Sequence, residues 1–487
     1  MSPLLRLPRE LRNHIYDYYF SCDGGYIHVF ETNKLRRADD QPIELSLVLS
    51  CRQIAAETHG LALRSNTLRF TTFHSDATQE QAGLLHAVNK TITFMKEKLL
   101  NCATDDHLGE EQAQTAKKAY PQFMHVIDHW RSQGTRIIGR FYLTRFLICG
   151  EAPSIWRDFV AFTLDLVSRQ PGFIEQTRMH LKHEVNDDEV HLINKADPKP
   201  WQIMGDVEIS RLQTFTRVSF ESPHVWPSTK YAYSAASIAL LFLDSLPTTA
   251  RENIRKIMLL EDRESISFPE SHGRGFIAIC QKHPQLKIER FVSLWKNVLP
   301  VHKVLLSFYL GDNQRFFDEG DMDNDRCPAR QITKAVGAWV KEAMSLPELG
   351  MPHGSFTLVL DGDPCPELSS RAFRIVQRDV IWQTALDTCY ARGHLPQPSW
   401  LKRRLLTAGY MFEGLPEAVG HLSMTSPLIR TNFPVESPYD VEQLLRDHEG
   451  WSAEDWEYIW ELHEPKEFQT EPPLLPWHLL RQGHVIG

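Results

Sequence analysis

Three histidines and two acids stand close together in one polar stretch of the chain. They are His180, His183 and His191, with Glu184 and Glu189. Imidazole nitrogens and carboxylates are common zinc ligands, and these spacings allow several of them to reach one ion. A chain with 22 histidines also contains such clusters by chance. We therefore predict no bound metal, and no other cofactor.

An alternating acidic run, Asp321, Asp323 and Asp325, matches the first ligands of a calcium-binding loop. That loop needs Gly at its sixth position for a sharp turn and a bidentate Glu at its twelfth. Here these two positions hold Arg326 and Ile332. The run therefore predicts a solvated acidic loop.

A third acidic site follows an apolar run, where Asp361 and Asp363 flank Gly362. Functional carboxylates often lie at the carboxyl ends of strands, so an unrecognised enzyme with a site near Asp361 and Asp363 stays an alternative. Asp and Gly after a strand are first of all turn formers. Motifs for phosphate-binding loops, dinucleotide binding, nucleophile elbows and zinc proteases are absent from the sequence. We predict that the chain is not an enzyme.

Composition narrows the classes of protein further. The 487 residues are 42% hydrophobic and 24% charged, with a formal net charge of -9. A mildly acidic chain without a long Lys/Arg run disfavours nucleic-acid binding. The longest apolar run is too short to span a bilayer. The eight cysteines lie far apart in the sequence, which indicates reduced thiols and predicts a cytoplasmic or nuclear protein.

The N-terminal segment has a clear pattern of elements. Pro8 suits the first turn of a helix, and Leu7, Leu11, Ile15 and Tyr19 then follow at i, i+4 spacing as an apolar stripe. After a Gly break, the stretch Tyr26–Glu31 predicts a short strand, and the N-terminal module is expected to contain a short hairpin. A second helix is predicted from about residue 45 to 63, followed by a strand that carries Leu68 and Phe70.

These residues resemble the fungal F-box-like domains, including the EXR-type modules. The match covers roughly residues 1–75, a module-sized piece, and a second stretch at 242–280 also resembles fungal proteins of that group. The matching positions are Leu7, Pro8, Glu10, Leu11, Arg12, Ile15, Tyr16, Ser50, Cys51, Arg52, Gln53, Ile54, Glu57, Ser65, Asn66, Thr67 and Phe70.

The resemblance implies a role in protein recruitment. In F-box proteins the two helices bind a Skp-type adaptor and so attach a protein target to a cullin-type ubiquitin ligase. Here a longer segment, Ser21–Ile43, separates the two helices. The alternative is a structural or scaffold protein in which the same stripe packs against the rest of the chain. The residues that the resemblance places against the adaptor are Leu7, Pro8, Leu11, Ile15, Leu49, Cys51 and Arg52.

The rest of the chain predicts an α+β fold that is mainly helical. Residues 79–175 read as helical, 176–230 as a polar linker or long loop, 231–410 as a helix–strand–helix region, and 411–487 as a C-terminal helix with a Pro-rich tail. The apolar runs Ile257–Leu260 and Phe356–Leu360 predict strands covered on both faces, in a parallel sheet or a short solenoid. Glu261 and Asp361 are expected near the rim.

Overall fold

The computed structural model describes residues 3–132, 151–181, 186–219, 229–299, 326–399, 402–403, 410–422, 426–435, 440–462 and 467–482. The fold is α+β and mainly helical, as predicted. The first elements are α1 (Arg9–Phe20), β1 (Tyr26–Val29), β2 (Lys34–Arg37), α2 (Ser46–Ser50), α3 (Arg52–Glu57), α4 (Leu61–Ser65) and β3 (Thr67–Thr71). The predicted second helix is thus divided into three short ones.

Helices fill the chain between β3 and the next strand. They are α5 (Asp76–Leu100), α6 (Glu110–Ala119), α7 (Met124–Ser132), α8 (Pro153–Ser168), α9 (Phe173–Leu181), α10 (Asp187–Lys195), α11 (Asp206–Thr216), α12 (Ala235–Ser245) and α13 (Thr248–Arg251). The helical pattern predicted over 79–175 is therefore found in the described part of that region.

The C-terminal half alternates strands and helices. Its elements are β4 (Lys256–Glu261), a 3-10 helix (Pro269–Phe276), α14 (Ile277–Lys282), β5 (Lys287–Ser293), β6 (Arg326–Pro328), α15 (Ala329–Glu348), β7 (Phe356–Asp361), α16 (Pro366–Ala391), α17 (Leu415–Gly420), β8 (Ile429–Thr431), α18 (Val441–Asp447), α19 (Ala453–Leu462), β9 (Glu467–Gln469) and α20 (Trp477–Gln482). The two predicted strands correspond to β4 and β7.

One mixed sheet unites the N- and C-terminal parts of the chain. Its strand order is β2-β1-β3-β4-β5-β7-β8, and every neighbouring pair is parallel except β1 with β2. The predicted boundary at residue 75 is therefore bridged by strand pairing, since β3 pairs with β4. Of the two predicted architectures, a sheet is the one observed, although its strands follow chain order as in an α/β solenoid.

The two faces of this sheet are covered unequally. Crossovers between parallel strands are almost always right-handed, so a sheet in chain order places them on one face. Leu68, Ile257 and Ile288 pair along that face and are buried, whereas Met258 and Leu260 on the other face are only half-buried. The expectation that the whole run Ile257–Leu260 is inaccessible is therefore wrong, because alternate side chains of β4 point to the less covered face.

Glu261 is buried, which corrects its expected position near the rim. Its carboxylate accepts hydrogen bonds from Arg290 Nε at 2.9 Å and Nη2 at 2.7 Å. It also accepts from the backbone N–H of Ala235 at 3.0 Å, at the beginning of α12. A buried carboxylate needs such partners, and these ones join β4, β5 and α12.

One further sequence prediction is wrong. The predicted linker at 176–230 contains α10 and α11, and α10 begins with a reciprocal capping pair between Asn186 and Glu189. The Pro-rich tail contains the extended strand β9, which pairs with β6, and the helix α20 follows it with a fully buried Trp477. In both segments the polar and Pro residues begin and end short elements.

The buried apolar residues form three clusters. The largest runs from β1 through the helices α5–α12 and across the sheet to α20. A second one joins α16 to α19 around Trp382, Trp456 and Trp460. The third is small and lies among the N-terminal helices, where Tyr16, Phe20 and Ile54 are its buried members. The N-terminal helices thus have their own minor core, while β1 and β3 beside them belong to the main one.

Candidate functional site

Helix α1 turns an unexpected face toward the protein. It begins directly after Pro8, and its buried side chains are Arg12, Tyr16 and Phe20, which are spaced by four residues. The apolar stripe that contains Leu11 and Ile15 lies on the outward side. The apolar spacing predicted from the sequence is therefore present on α1. Its members Leu11 and Ile15 are exposed and so accessible to a partner.

A hydrogen-bonded group holds α1 against α3. Arg12 donates from Nε to Glu57 Oε2 at 2.9 Å and from Nη2 to Glu57 Oε1 at 2.6 Å. The hydroxyl of Tyr16 donates to Glu57 Oε2 at 2.8 Å. The hydrogen bond from Arg12 is the main cause that lowers the pKa of Glu57 far below its usual range. This group explains why a charged residue, Arg12, occupies the inner face of α1.

Asn66 anchors the end of α1 to the following elements. Its side-chain amide donates to the carbonyl of Phe20 at 2.6 Å and to that of Ala62 at 2.7 Å. Its carbonyl accepts from the N–H of Cys22 at 2.8 Å. Because Asn66 directly precedes β3, the N-terminal helices are fixed to the main sheet at β3, which lies between β1 and β4.

The outward side of these helices carries an exposed set of large apolar residues. We call it the N-terminal apolar surface, and its members with their exposed fractions are Leu11 (50%), Ile15 (41%), Tyr18 (89%), Leu45 (50%) and Leu49 (80%). Exposed apolar residues mark interaction sites where they form a contiguous patch. The spacing of Leu11, Ile15 and Tyr18 places these three on one face of α1. A partner protein that covers these side chains would remove their apolar area from water, which favours binding.

All seven residues predicted to face an adaptor are at least partly exposed. Pro8, Leu11 and Ile15 are exposed on α1, and Leu7 just before it is half-buried. Leu49, Cys51 and Arg52 are exposed where α2 meets α3. Cys51 also has a local role, since its Sγ accepts a hydrogen bond from the N–H of Ile54 at 3.5 Å and caps α3. The two groups lie on helices that share the small N-terminal core.

Sequence reasoning missed two members of this surface and the group that supports it. Tyr18 follows Leu11 at i+7, a spacing that places both on one helix face, so a signal for it existed. Leu45 lies just before α2 and precedes Leu49 by four positions, so the same helical spacing was a signal for it as well. The contacts of Glu57 with Arg12 and Tyr16 join residues more than 40 positions apart, and no local pattern reveals such a pair.

Asp361 and Asp363 form a turn at the end of β7. Asp361 Oδ1 accepts from the N–H of Asp363 at 3.0 Å and from Asn432 Nδ2 at 2.7 Å. The carbonyl of the Asn432 side chain in turn accepts from the N–H of Gly362 at 2.7 Å. Neither the cavity between α5 and α8 nor the groove beside α12 has Asp361 or Asp363 in its wall. The position is therefore that of a turn former.

The histidine cluster is only partly within the described residues. His180 and His191 are exposed, and Glu189 takes part in the cap of α10 and in an ion pair with Arg217. His183, Glu184 and the run Asp321–Asp325 lie outside the described residues. Within the described ranges, no group of three or more His, Cys, Asp or Glu side chains is arranged to hold a metal ion.

Two further findings bear on the class of protein. The seven cysteines in the described part of the chain are all free thiols. Among the described helices, none combines the length and the apolar character that a membrane span requires. Comparison with known proteins adds no relative: no protein-family model, no curated protein and no solved structure matches this chain.

Proposed function

We propose that this chain is a non-catalytic interaction protein, an F-box-like substrate receptor that docks a Skp-type adaptor of a cullin-type ubiquitin ligase. The N-terminal apolar surface, together with Leu7, Pro8, Cys51 and Arg52, is the docking surface. The observation that carries the proposal is the exposure of Leu11, Ile15, Tyr18, Leu45 and Leu49 on the helices that resemble an F-box. The resemblance supplies the identity of the partner.

Exposure of this surface favours recruitment over a purely structural role. In a scaffold protein the stripe of α1 would be the face that packs on the body, and its members would be buried. Instead α1 packs through Arg12, Tyr16 and Phe20 and leaves Leu11 and Ile15 outside. Burying a Leu or Ile side chain fully is worth about 1.5–3 kcal/mol, so a partner that covers this surface gains several such contributions.

The long segment between the two F-box-like helices is compatible with this role. Residues 26–37 of that segment form the hairpin β1–β2, which extends the edge of the main sheet. The insertion therefore does not separate the helices, since α1 and α3 remain joined through Arg12 and Glu57. This arrangement preserves the direct contact of two helices on which the resemblance depends.

The body of the chain would hold the protein target. Its sheet has a partly covered face, on which Met258, Leu260 and Phe291 are half-buried. Beside them, Glu289 forms ion pairs with Lys256 at 2.7 Å and with Arg430 at 2.6 Å. An apolar strip next to fixed charges of both signs is a surface suited to a protein, and the identity of that protein is left to experiment.

Direct binding of a purified Skp-type adaptor to the full chain tests the proposal. Calorimetric titration of the wild type should give saturable binding. The double variant Leu11→Ala/Ile15→Ala removes three of the four side-chain carbons at each position. Because only about half of each side chain is exposed for a partner to cover, the affinity should weaken on the order of 30-fold.

The matched control is Leu192→Ala/Val207→Ala, which truncates two exposed apolar residues on α10 and α11. This control should bind the adaptor as the wild type does. A wild type that retains no adaptor ends the receptor proposal and leaves the scaffold alternative. Equal weakening by both double variants would show that the N-terminal apolar surface is not the docking site.

A further inference from the structure

A small cavity lies among α5, α8, the connection from α10 to α11, and the 3-10 helix Pro269–Phe276. Its volume is about 90 Å³. One water position needs at least roughly 10–15 Å³, so the cavity has room for several waters or for one compact polyatomic ion. It lies apart from the N-terminal helices, and none of its wall residues belongs to them.

Four basic side chains line this cavity, and two of them have acidic partners. Arg274 donates from Nη2 to Asp158 Oδ2 at 2.6 Å, and Lys199 pairs with Asp197. The other two are Lys96 and Arg157. Lys96 and Arg157 lack an acidic partner at hydrogen-bonding distance.

Lys96 is buried and makes no hydrogen bond or ion pair with a described residue. Both Nη1 and Nη2 of Arg157 are shielded from solvent and have no hydrogen-bond acceptor. A buried cationic donor without an acceptor is unfavourable by at least about 1–3 kcal/mol. Arg157 is such a donor, and the buried Lys96 stands beside it in the wall of the same cavity. Together they indicate that the acceptor comes from a ligand.

The ring of Phe268 offsets part of this cost. Arg157 Cζ lies 4.0 Å and Lys90 Nζ lies 3.9 Å from its centroid, within cation–π range. Phe268 and Ser267 both have left-handed φ angles, of 61° and 60°. Such backbone is unfavourable for residues other than Gly by about 1–3 kcal/mol each and clusters at functional sites.

Hydrogen bonds from three sides hold this strained segment in place. The N–H of Ser267 donates to His86 Nδ1 at 3.2 Å, and Asn89 Nδ2 donates to Ser267 Oγ at 3.2 Å. His272 Nε2 lies 2.9 Å from the carbonyl of Ser267. The part of the wall around Ser267 and Phe268 is therefore buried and held by hydrogen bonds, whereas Asp197 and Lys199 in the same wall are exposed.

The balance of charge in the wall favours an anion. Against four basic residues stand three acids, of which Asp158 and Asp197 are paired as described. The third is Glu97, whose pKa burial raises to about 7, so that it is partly protonated at neutral pH. Behind the wall, Lys90 and Glu342 are buried within electrostatic range of Arg157, and Glu270 within range of both.

We propose that this cavity binds a compact tetrahedral oxyanion, either free phosphate or the phosphoryl group of a small molecule, between Lys96 and Arg157. The volume fits one such group, and both cations gain the acceptor that they lack. The site would make the body of the chain responsive to a small ligand, independently of any adaptor at the N-terminal helices.

Calorimetric titration of the full chain with sodium sulfate at constant ionic strength tests this proposal, because the charge of sulfate does not change near neutral pH. Saturable binding is expected in the wild type and in the control variants Lys118→Met and Arg211→Met, whose side chains are exposed on α6 and α11. Lys96→Met and Arg157→Met should each bind at least tenfold more weakly. The Lys96→Met variant is decisive, since Met keeps most of the apolar stem and its folding can be checked by its melting temperature.

Absence of saturable binding in the wild type, or wild-type affinity in a folded Lys96→Met protein, would overturn the proposal. Parallel titrations with inorganic phosphate and glycerol 3-phosphate distinguish the two sources of the oxyanion. Tighter binding of inorganic phosphate indicates the free ion, and tighter binding of glycerol 3-phosphate indicates a phosphoryl group on a small molecule.

The dependence on pH gives a second, independent check. The charged groups that line the cavity with Glu97 are Lys96, Arg157, Asp158, Asp197, Lys199 and Arg274. As the pH falls from 8 to 6, Glu97 loses its charge and sulfate should bind more tightly, and Glu97→Gln should reduce this change. Weaker binding at the lower pH would contradict an anion site.

Discussion

The N-terminal helices and the body of this chain treat their apolar residues in opposite ways. On α12 of the body, Ile238 and Leu243 are almost fully buried against the sheet. On α1, Leu11 and Ile15 are exposed, and a polar group of Arg12, Tyr16 and Glu57 holds the helix in place instead. A stripe of similar composition thus serves the core in one region and remains available to a partner in the other.

Helix α1 shows that polar contacts can hold a helix in place while its apolar face stays exposed. A bidentate Arg–carboxylate contact is geometrically specific, and here it orients α1 on α3 while Tyr16, Phe20 and Ile54 form a minimal core. The larger apolar residues are then free for binding. In the body, by contrast, apolar area buried on one face of the sheet provides the stability.

The largest contrast is expected between two leucines changed in the same way. Leu259 is fully buried in β4, whereas Leu11 is half exposed on α1. Leu259→Asp places an unpaired charge in the core and should lower the free energy of unfolding by more than about 4 kcal/mol, or prevent folding. Leu11→Asp should change it by no more than about 0.5 kcal/mol. Chemical denaturation measures both, and a Leu259→Asp protein as stable as the wild type would remove β4 from the core.

The next largest effect concerns a buried carboxyl of the body. Glu342 accepts from the N–H and the hydroxyl of Ser154 at 2.6 and 2.7 Å, and burial raises its pKa to about 7. A raised folded-state pKa means that stability falls as the pH rises from about 4.5 to about 7. Gln at this position can accept from the Ser154 N–H and donate its amide N–H to the Ser154 hydroxyl. Glu342→Gln should therefore restore at most about 3 kcal/mol at pH 8.

At pH 4.5 this variant should melt like the wild type, because both then carry an uncharged side chain. A Tm difference between the two proteins that is the same at both pH values would contradict the buried, titrating carboxyl. Ser154→Ala, which removes the hydroxyl partner, provides the comparison in which only a hydrogen bond is lost.

The N-terminal helices should respond to pH with the opposite sign. The hydrogen bond from Arg12 is the largest cause that lowers the pKa of Glu57 below its unfolded value of 4.5. Its stabilising contribution is therefore present above pH 4.5 and is lost as the pH falls through the folded-state pKa. Glu57→Gln should speed amide hydrogen exchange in α1 and α3 at neutral pH and leave β4 and β5 unchanged. Unchanged exchange in α1 would show that the Arg12–Glu57 contact is not what holds the helix.

The smallest effect is expected at the turn after β7. Asp361→Asn retains an oxygen that accepts from Asp363 N–H and Asn432 Nδ2, so its unfolding free energy should stay within about 0.5 kcal/mol of the wild type. Chemical denaturation checks this expectation. A destabilisation of several kcal/mol would mean that the negative charge itself is needed there.

Elements with strong local signals were predictable from the sequence. The apolar runs followed by acids correspond to β4 and β7. The predicted helix–strand–helix region at 231–410 contains α12 before β4 and α15 before β7. The polar residues of 176–230 led to the wrong prediction of a linker, because Asn186 and Glu189 cap the helix α10. Strand order could not be predicted, since the paired residues of β3 and β4 are 189 positions apart, as Thr67 and Lys256 are.

The candidate site was predictable in its residues and not in its orientation. Leu11, Ile15 and Leu49 were singled out by spacing and resemblance, but which face of α1 is buried depends on Glu57, far along the chain. The cavity between Lys96 and Arg157 gave no sequence signal, because its wall combines α5, α8 and a distant 3-10 helix. A larger groove of about 720 Å³ around Leu240, Leu241 and Ile279 also had no signal in the sequence. Long-range pairs decide all of these features.

Amide hydrogen exchange of the full chain, with and without a saturating Skp-type adaptor, tests directly whether the N-terminal apolar surface docks the adaptor. We expect slower exchange in α1, α2 and α3 when the adaptor is present, with β4, β5 and β7 unchanged. Protection confined to the body, or no protection anywhere at saturating adaptor, would contradict the assignment of the N-terminal apolar surface as the docking site.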